Sequence, residues 1–385
     1  MGSQQPKPGG GGGDADHVTK DEPVLPLENY EFTFDLARMP GSRNMSFIEP
    51  EPWTMSDTAS LSDSVRTFPE EFGRTYHAYR AGSYAFPNDA SEQERLALQG
   101  QCIKKLLRDR LYFAPLSPAK PPLRILDIAT GVGDWAIEMG DLFPESTVIA
   151  TDLSPIQPID VPPNVHFYVD DSADLWDFAH KFDYIHTRST VGCWASFQNQ
   201  IAEQAFDALE PGGWFESQEV DGNVCCDDNT LDPSGPVAAW FNDLLVASER
   251  VHRPAILGAT LKEVYEKVGF VDIHQRTVKM PIGGWARDTR LKEVGYMWEA
   301  NLLDGLGGFS YQLFNRAFNR TPAQIERCIV MVLTGTLELN DSMSRTRAHI
   351  LAAVPHDAQG PSAPGMRNRS TAQEHLGTSF SLLHL

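Results

Sequence analysis

The sequence predicts an α/β fold, a parallel sheet with crossover helices. Three observations carry this. An apolar run at 124–128 leads through a glycine-bearing loop, Asp127-Ile-Ala-Thr-Gly-Val-Gly133, into a helical pattern. A second apolar run, at 147–151, ends against Asp152. Short apolar runs then alternate with a helical segment as far as residue 218. Strands that alternate with helices in this way form a parallel sheet, because each crossover helix carries the chain back to the same edge.

In chain order, residues 1–65 read as a disordered tail. Gly9 to Gly13 is a glycine run, and proline and acidic residues follow with weak apolar periodicity. Residues 356–385, with Gly360, Pro361, Ser362, Pro364 and Gly365, read the same way, which sets the folded unit at 66–355. Within it, Ser91-Glu92-Gln93-Glu94 has the form of a capping box and starts a helix through Leu96, Leu98, Ile103, Leu106 and Leu107. After the strand at 124–128 come a helix over 133–142 and strands at 147–151, 165–169 and 182–187. A helix is predicted over 197–209; Glu210-Pro-Gly-Gly213 breaks it, and a strand over 214–218 follows. Residues 236–253 and 291–337 are mostly helical in pattern, with a helix at 261–268 and a strand at 271–280 between them.

Composition excludes several classes. Of 385 residues, 41% are hydrophobic, which is ample for one large core or a core with a cap. The net charge of −20 opposes a phosphate backbone, and Lys104-Lys105 with Arg108 and Arg110 makes only a short basic helix face, so direct nucleic-acid binding is not expected. No apolar run is long enough to span a membrane, and no secretory apolar segment follows Met1. The five cysteines are odd in number and lack metal-ligand spacing. No metal is expected, and reduced thiols point to a cytoplasmic, or alternatively nuclear, protein.

The loop after the first strand has the chemistry of a nucleoside-cofactor site. Gly131 and Gly133 suit positive φ and close ligand approach, and Ala129 in the first small position allows that approach if its φ is negative. Gly131, Gly133 and Ala136 also meet the dinucleotide fingerprint, so the glycines alone leave NAD open. Asp127 argues against NAD, since it would repel a pyrophosphate, whereas it suits the ammonium of a methionine moiety. Asp152, at the end of the next strand, is placed to accept from two ribose hydroxyls; otherwise it is a turn residue. Asp170 or Asp171 can accept from an adenine amino group, and Trp176 can shelter the ring or simply pack in the core.

A series of motifs then occurs in order. They are Tyr76-His-Ala-Tyr-Arg80, Tyr84-Ala-Phe-Pro-Asn-Asp89, the Asp127 loop, Thr151-Asp-Leu-Ser-Pro-Ile-Gln-Pro158 and Val161-Pro-Pro-Asn-Val165. Phe182-Asp-Tyr-Ile-His-Thr-Arg188, Leu209-Glu-Pro-Gly-Gly-Trp214, Gln218-Glu219, Pro281-Ile-Gly-Gly-Trp285 and Arg290-Leu-Lys-Glu-Val-Gly295 follow. Over about 66–355 the chain resembles the fungal LaeA-like, class I S-adenosylmethionine (SAM)-dependent methyltransferases. The resemblance implies a Rossmann-like, seven-stranded sheet carrying SAM over its strand C-termini, with a helical lid at about 66–115 and cap segments at about 236–260 and 285–340. By motif position it implies Gly131 and Gly133 under the methionine part, Asp152 with Leu153 on the ribose, Asp170 or Asp171 by the adenine, and Tyr84 near the cofactor. Two residues depart from the family pattern: Ala129 for glycine, and Asp134 where an apolar residue is common. The stretch 341–354 also lacks the aromatic, valine-rich ending expected of the last strand.

Methyl transfer to a hydroxyl or carboxyl can need a general base. His186, near the end of the fourth strand, and His77, in the lid, are the candidates, with Glu219 at the same sheet edge. Arg188 shares the strand face of His186 and could hold a substrate carboxylate or pair with Asp170 or Glu219. Trp240, Phe241, Trp285, Tyr296, Trp298, Phe309 and Phe314 could cap a pocket for an apolar substrate or be core. The expected function is O-methylation of a small molecule in fungal secondary metabolism. The alternatives are a LaeA-like nuclear regulator that works through protein partners, held by the N-terminal tail, and a SAM-fold protein that no longer methylates.

Overall fold

The computed structural model describes residues 63–342 and 348–359. Seven strands make one sheet: β1 (Arg124–Ile128), β2 (Thr147–Asp152), β3 (Val165–Val169), β4 (Phe182–Arg188), β5 (Leu209–Cys226), β6 (Arg276–Pro281) and β7 (Ala348–Gln359). Their spatial order is β3-β2-β1-β4-β5-β7-β6. The first five pair in parallel, and β7 runs antiparallel to both of its neighbours. Besides a short turn of helix at Asp63–Arg66, the helices are α1 (Ala90–Leu106), α2 (Asp134–Leu142), α3 (Glu203–Ala208, preceded by a π-helical turn at Gln198–Ala202), α4 (Pro236–Arg250), α5 (Leu261–Val268), α6 (Thr289–Phe318) and α7 (Pro322–Ser342).

Both faces of the sheet are covered, which is why β1 reads as an almost unbroken apolar run. Ile125 packs with Trp135, Ala136 and Met139 of α2. Leu126 and Ile128 point the other way, toward Ile201, Ala205 and Tyr265. A further core joins α1 to α4, α6 and α7 through Cys102, Leu106, Trp240, Trp298, Phe314 and Ile325. The cap is thus built on the lid helix as well as on the sheet. No described helix is long and apolar enough to cross a membrane, and no described cluster of His, Cys, Asp or Glu could hold a metal ion.

Several expectations shift. Helix α1 starts at Ala90, and its N-cap is Asp89, whose carboxylate accepts from the Glu92 N–H at 3.1 Å. The Ser91 box does not form because Asp89 takes the N-cap, which leaves Ser91 and Glu94 inside the helix. Strand β5 is far longer than 214–218. Glu210-Pro-Gly-Gly213 does not end the pairing but is looped out of it, since Phe182 pairs with Leu209 and Tyr184 already pairs with Trp214. The strand then continues to Cys226 because β7 pairs along it. Strand β7 does form, although its sequence lacks strand character, and it runs to Gln359, past residue 355. It lies between two partners, and tertiary pairing overrides weak propensity there. The helical stretch 291–337 is two helices, separated where Asn319 takes a left-handed φ of 54° and caps α6, and Pro322 opens α7. Strand β6 begins at Arg276 rather than at 271. The tails at 1–62 and 360–385 lie outside the described residues.

Candidate active site

The C-terminal ends of β1, β2 and β4 and the loop after β3 open into one cavity, where open α/β sheets bind ligands. Its floor is the loop Ala129–Val132 with Asp134, and its far wall is Asp152, Leu153 and Ser154. Asp170 to Ala173 form one end, Arg188 and Ser189 the other, and the lid residues His77, Tyr84 and Asn88 lie over it.

Asp152 organises the floor. One carboxylate oxygen accepts from the Gly131 N–H and the other from the Ser154 N–H, both at 2.9 Å. Gln157 donates to the Gly131 and Ser154 carbonyls, at 2.6 and 2.9 Å, and so braces the two loops together. Burial lifts the Asp152 carboxyl to about 6, against the pull of those N–H groups. Gly131 has φ +62°, and a Cβ there would meet only Leu96, so the loop surface is open to a ligand. Ala129 has φ +56°, not the negative value that its close approach assumed. It holds a glycine conformation with an alanine, at a cost of about 1–2 kcal/mol.

At the other end, Asp171 accepts from the Ala173 N–H at 3.0 Å, and burial raises the Asp170 carboxyl. The aromatic wall there is Trp194, whose Nε1 donates to Ser172 Oγ at 3.0 Å. Trp176 instead lies off the cavity and packs edge-on against Phe178.

Three expected site residues are not on the wall. Asp127 is 3% exposed; one oxygen takes the Thr130 hydroxyl at 2.5 Å and the other His186 Nδ1 at 2.8 Å. His186 is fully buried, stacked on Trp135 with centroids 3.6 Å apart, and is therefore a brace under the loop rather than a base facing the cavity. Gly133 is the N-cap of α2, and a Cβ there would lie 2.5 Å from the Phe167 ring, so this glycine serves helix-to-sheet packing.

Of the other catalytic candidates, His77 and Arg188 reach the cavity and Glu219 does not. His77 Nε2 lies 3.1 Å from the Arg80 carbonyl, which ties down the lid, and burial lowers its pKa. Glu219 does not line the cavity. It accepts from the Thr190 N–H at 2.7 Å and the Thr190 hydroxyl at 2.6 Å, and burial lifts it to about 7. Arg188 does line the cavity. Its guanidinium lies across α1 at Gly100, where a Cβ would come within 3.4 Å of Nη2. It makes no hydrogen bond or ion pair among the described residues, and burial lowers its pKa against the pull of Asp127, Asp134 and Glu138. Arg188 pairs with neither Asp170 nor Glu219.

A second chamber adjoins the first and shares Tyr84, Phe86, Leu96, Gln99 and Ser189 with it. Of the candidate aromatics, Trp240, Phe241, Trp298 and Phe309 line it, whereas Trp285, Tyr296 and Phe314 do not. Sequence reading missed Asn88, Gln99, Ser189, Arg95 and Asn301. Asn88 lies inside a quoted motif and Ser189 adjoins one; Arg95, Gln99 and Asn301 are polar helix residues whose facing depends on tertiary packing.

The donor set fits a zwitterion joined to a nucleoside: a cation without a partner at one end, carboxylates at the middle and far end, and an open glycine floor between. The sheet also departs from a dinucleotide-binding sheet, which lacks an antiparallel strand between its last two parallel ones. Fold and site together define a class I SAM-dependent methyltransferase. A methyltransferase-domain family model matches residues 98–275. The chain is 38% identical to methyltransferase pytC of Aspergillus terreus, over 75% of this chain and 89% of that protein. It is 33% identical to the secondary metabolism regulator LAE1 of Cochliobolus heterostrophus, over 65% and 82%. It is 31% identical to the protein-methionine methyltransferase laeA of Emericella nidulans, over 73% and 76%. The chain belongs to this LaeA-like family of fungal SAM-dependent methyltransferases.

Proposed function

We propose that this chain methylates a hydroxyl group of a small, mostly apolar molecule. The observation that carries the reading is the pair of contiguous chambers, one polar and one aromatic, that meet at Tyr84 and Ser189. When bound, SAM supplies an electrophilic methyl group. Arg188 would hold its carboxylate, and Asp134 its ammonium, in place of Asp127. Asp152 would accept from the ribose, with Leu153 against the sugar, and Asp170 or Asp171 would accept from the adenine. The lid strand of rings, Tyr84 edge-on to Phe86 and Phe86 edge-on to Phe309, closes the junction and excludes water. The protein's contribution is then orientation: the acceptor is held in line with the methyl group and out of solvent. Neither chamber wall presents a histidine other than His77, whose Nε2 is engaged by Arg80. An acidic hydroxyl, a phenol or an enol, suits such a site because it can shed its proton without a strong base.

The test is calorimetric titration of SAM and S-adenosylhomocysteine (SAH) into the full chain, followed by incubation with labelled SAM and a fungal metabolite extract. Micromolar binding, lost in Asp152→Ala, together with a labelled small product supports the proposal. Binding without any labelled small product, but with label on a captured protein, supports instead a second reading. That reading follows the regulator relatives: a nuclear or cytoplasmic methyltransferase that works through protein partners. Absence of SAM and SAH binding would sink both.

A further inference from the structure

The aromatic chamber has a donor pattern that narrows its occupant. Trp298 and Asn301 stand one turn apart on α6, so both face the chamber from one side. They are 3% and 1% exposed. Trp298 Nε1 and Asn301 Nδ2 have no hydrogen-bond partner among the described residues. The orientation of the Asn301 amide is not ambiguous. Arg95 Nη1 lies 2.7 Å from Asn301 Oδ1, and a guanidinium can only donate, so the carbonyl oxygen must face Arg95 and the amide nitrogen must face elsewhere. An indole N–H is likewise a donor only. Two buried donors without acceptors are costly unless a ligand supplies the acceptor.

The one cation in the same wall is already paired. Arg95 is 5% exposed and donates to Glu92, Gln99 and Asn301, with its Cζ 4.9 Å from the Phe309 ring centroid. No cation is left for an anionic ligand. Asp221, on the same wall, accepts from the Leu257 and Gly258 N–H groups and adds negative charge. Phe86, Phe309, Trp240 and Phe241 supply flat apolar surface.

We propose that this chamber takes an uncharged, ring-bearing molecule whose carbonyl or ether oxygen accepts from Trp298 and Asn301, leaving its hydroxyl at the Tyr84 and Ser189 junction. This rests on the proposed methyltransferase reading and adds the substrate class. A carboxylate ligand is disfavoured here, whereas Arg188 is reserved for the cofactor chamber.

The experiment titrates three matched probes into the full chain, with and without saturating SAH: an acetylnaphthol, the ethylnaphthol of the same substitution, and the corresponding hydroxynaphthoic acid. Tryptophan fluorescence reads binding. The ketone should bind roughly tenfold or more tightly than either of the others. Asn301→Asp keeps the Arg95 contact but replaces the donor by an acceptor, and Trp298→Phe keeps a ring but removes the N–H. Each should reduce the ketone's advantage over the ethyl probe without weakening the ethyl probe itself. Equal binding of ketone and ethyl probes, tighter binding of the acid, or no binding of any probe to wild type overturns the proposal. The wild-type comparison stands even if a variant fails to fold. Failure of SAH to bind while the ketone preference holds would instead count against the methyltransferase reading alone.

Discussion

Ala129→Gly is the substitution that most directly tests the geometry of the cofactor loop. Ala129 sits at φ +56° directly after β1, on the cavity floor. An L-residue there carries about 1–2 kcal/mol that glycine does not. Glycine gives back about 0.4–1 kcal/mol through the greater freedom of the unfolded chain. Loss of a half-buried methyl removes roughly another 0.4 kcal/mol. The balance is about 0.5 kcal/mol in favour of glycine, which for a chain of this size raises Tm by somewhat under about 1 °C. The assay is thermal melting of unliganded wild type, Ala129→Gly and Ala129→Val, with SAH titration of each. Glycine should melt higher and bind SAH no more weakly. Valine, branched at Cβ, should melt lower and bind more weakly. A glycine variant that melts below wild type, or a valine variant above it, would refute a left-handed turn at this position.

Gly133→Ala should be the opposite case. It combines φ +86° with a Cβ 2.5 Å from the Phe167 ring, so a loss of roughly 2–4 kcal/mol is expected, read as a lowered Tm, while the folded fraction still binds SAH because Gly133 is off the wall. Asp152→Asn should weaken SAH by roughly tenfold or more, since its amide must oppose either the Gly131 or the Ser154 N–H. In the unliganded protein the Asp152 carboxyl lies at about 6, so wild-type SAH affinity should fall as pH drops through that value, measured by calorimetry. Glu219 is raised by burial from 4.5 to about 7. Its folded form favours the proton, so its contribution to stability is full below about 4.5 and is lost as pH rises through 7. Glu219→Gln should remove that slope and, at pH 8, raise stability by up to roughly 3 kcal/mol, with the Thr187 and Thr190 hydroxyls turning to satisfy the amide. Denaturant melts of both proteins at pH 4 and pH 8 read it, and parallel pH profiles would contradict the assignment.

What was legible in the sequence was whatever depends on local pattern. Strands β1 to β4 and helix α2 could be placed because each alternates or repeats on its own. Strand β7 could not, since its stability comes from the two strands beside it. The motif Pro281-Ile-Gly-Gly-Trp285 with Arg290 to Gly295 was recognisable but silent about its role. The structure shows how its two parts act as a unit: a Cβ on Gly295 would strike the Gly283 carbonyl oxygen at 2.0 Å, and Arg290 donates to the Lys105 and Leu106 carbonyls that end α1. This is a packing device that docks α6 on the lid helix, and it fixes the wall on which Trp298 and Asn301 stand.

The site residues divide along the same line. Asp152, Leu153, Asp170 and Asp171 lie at strand ends or in the loop just beyond, where backbone geometry alone points them to the cavity. Asp127 and His186 also lie near strand ends, and sequence gives them the same credentials. What separates them is depth: Asp127 pairs across the sheet with His186, and Trp135 covers that pair from α2. A strand position specifies which face a side chain takes but not whether a helix covers that face at that level. The consequence runs through Asp134. It departs from the family pattern, yet with Asp127 withdrawn beneath Trp135 it is a carboxylate that remains on the wall near Arg188. Under the proposed function it is Asp134, seven residues further along the chain (134 − 127), that would meet the cofactor ammonium. The same limit governs the cap, where the sequence marks seven aromatics alike and only long-range packing, of which the Arg95–Asn301 contact across 206 residues is an example, decides which of them line the chamber.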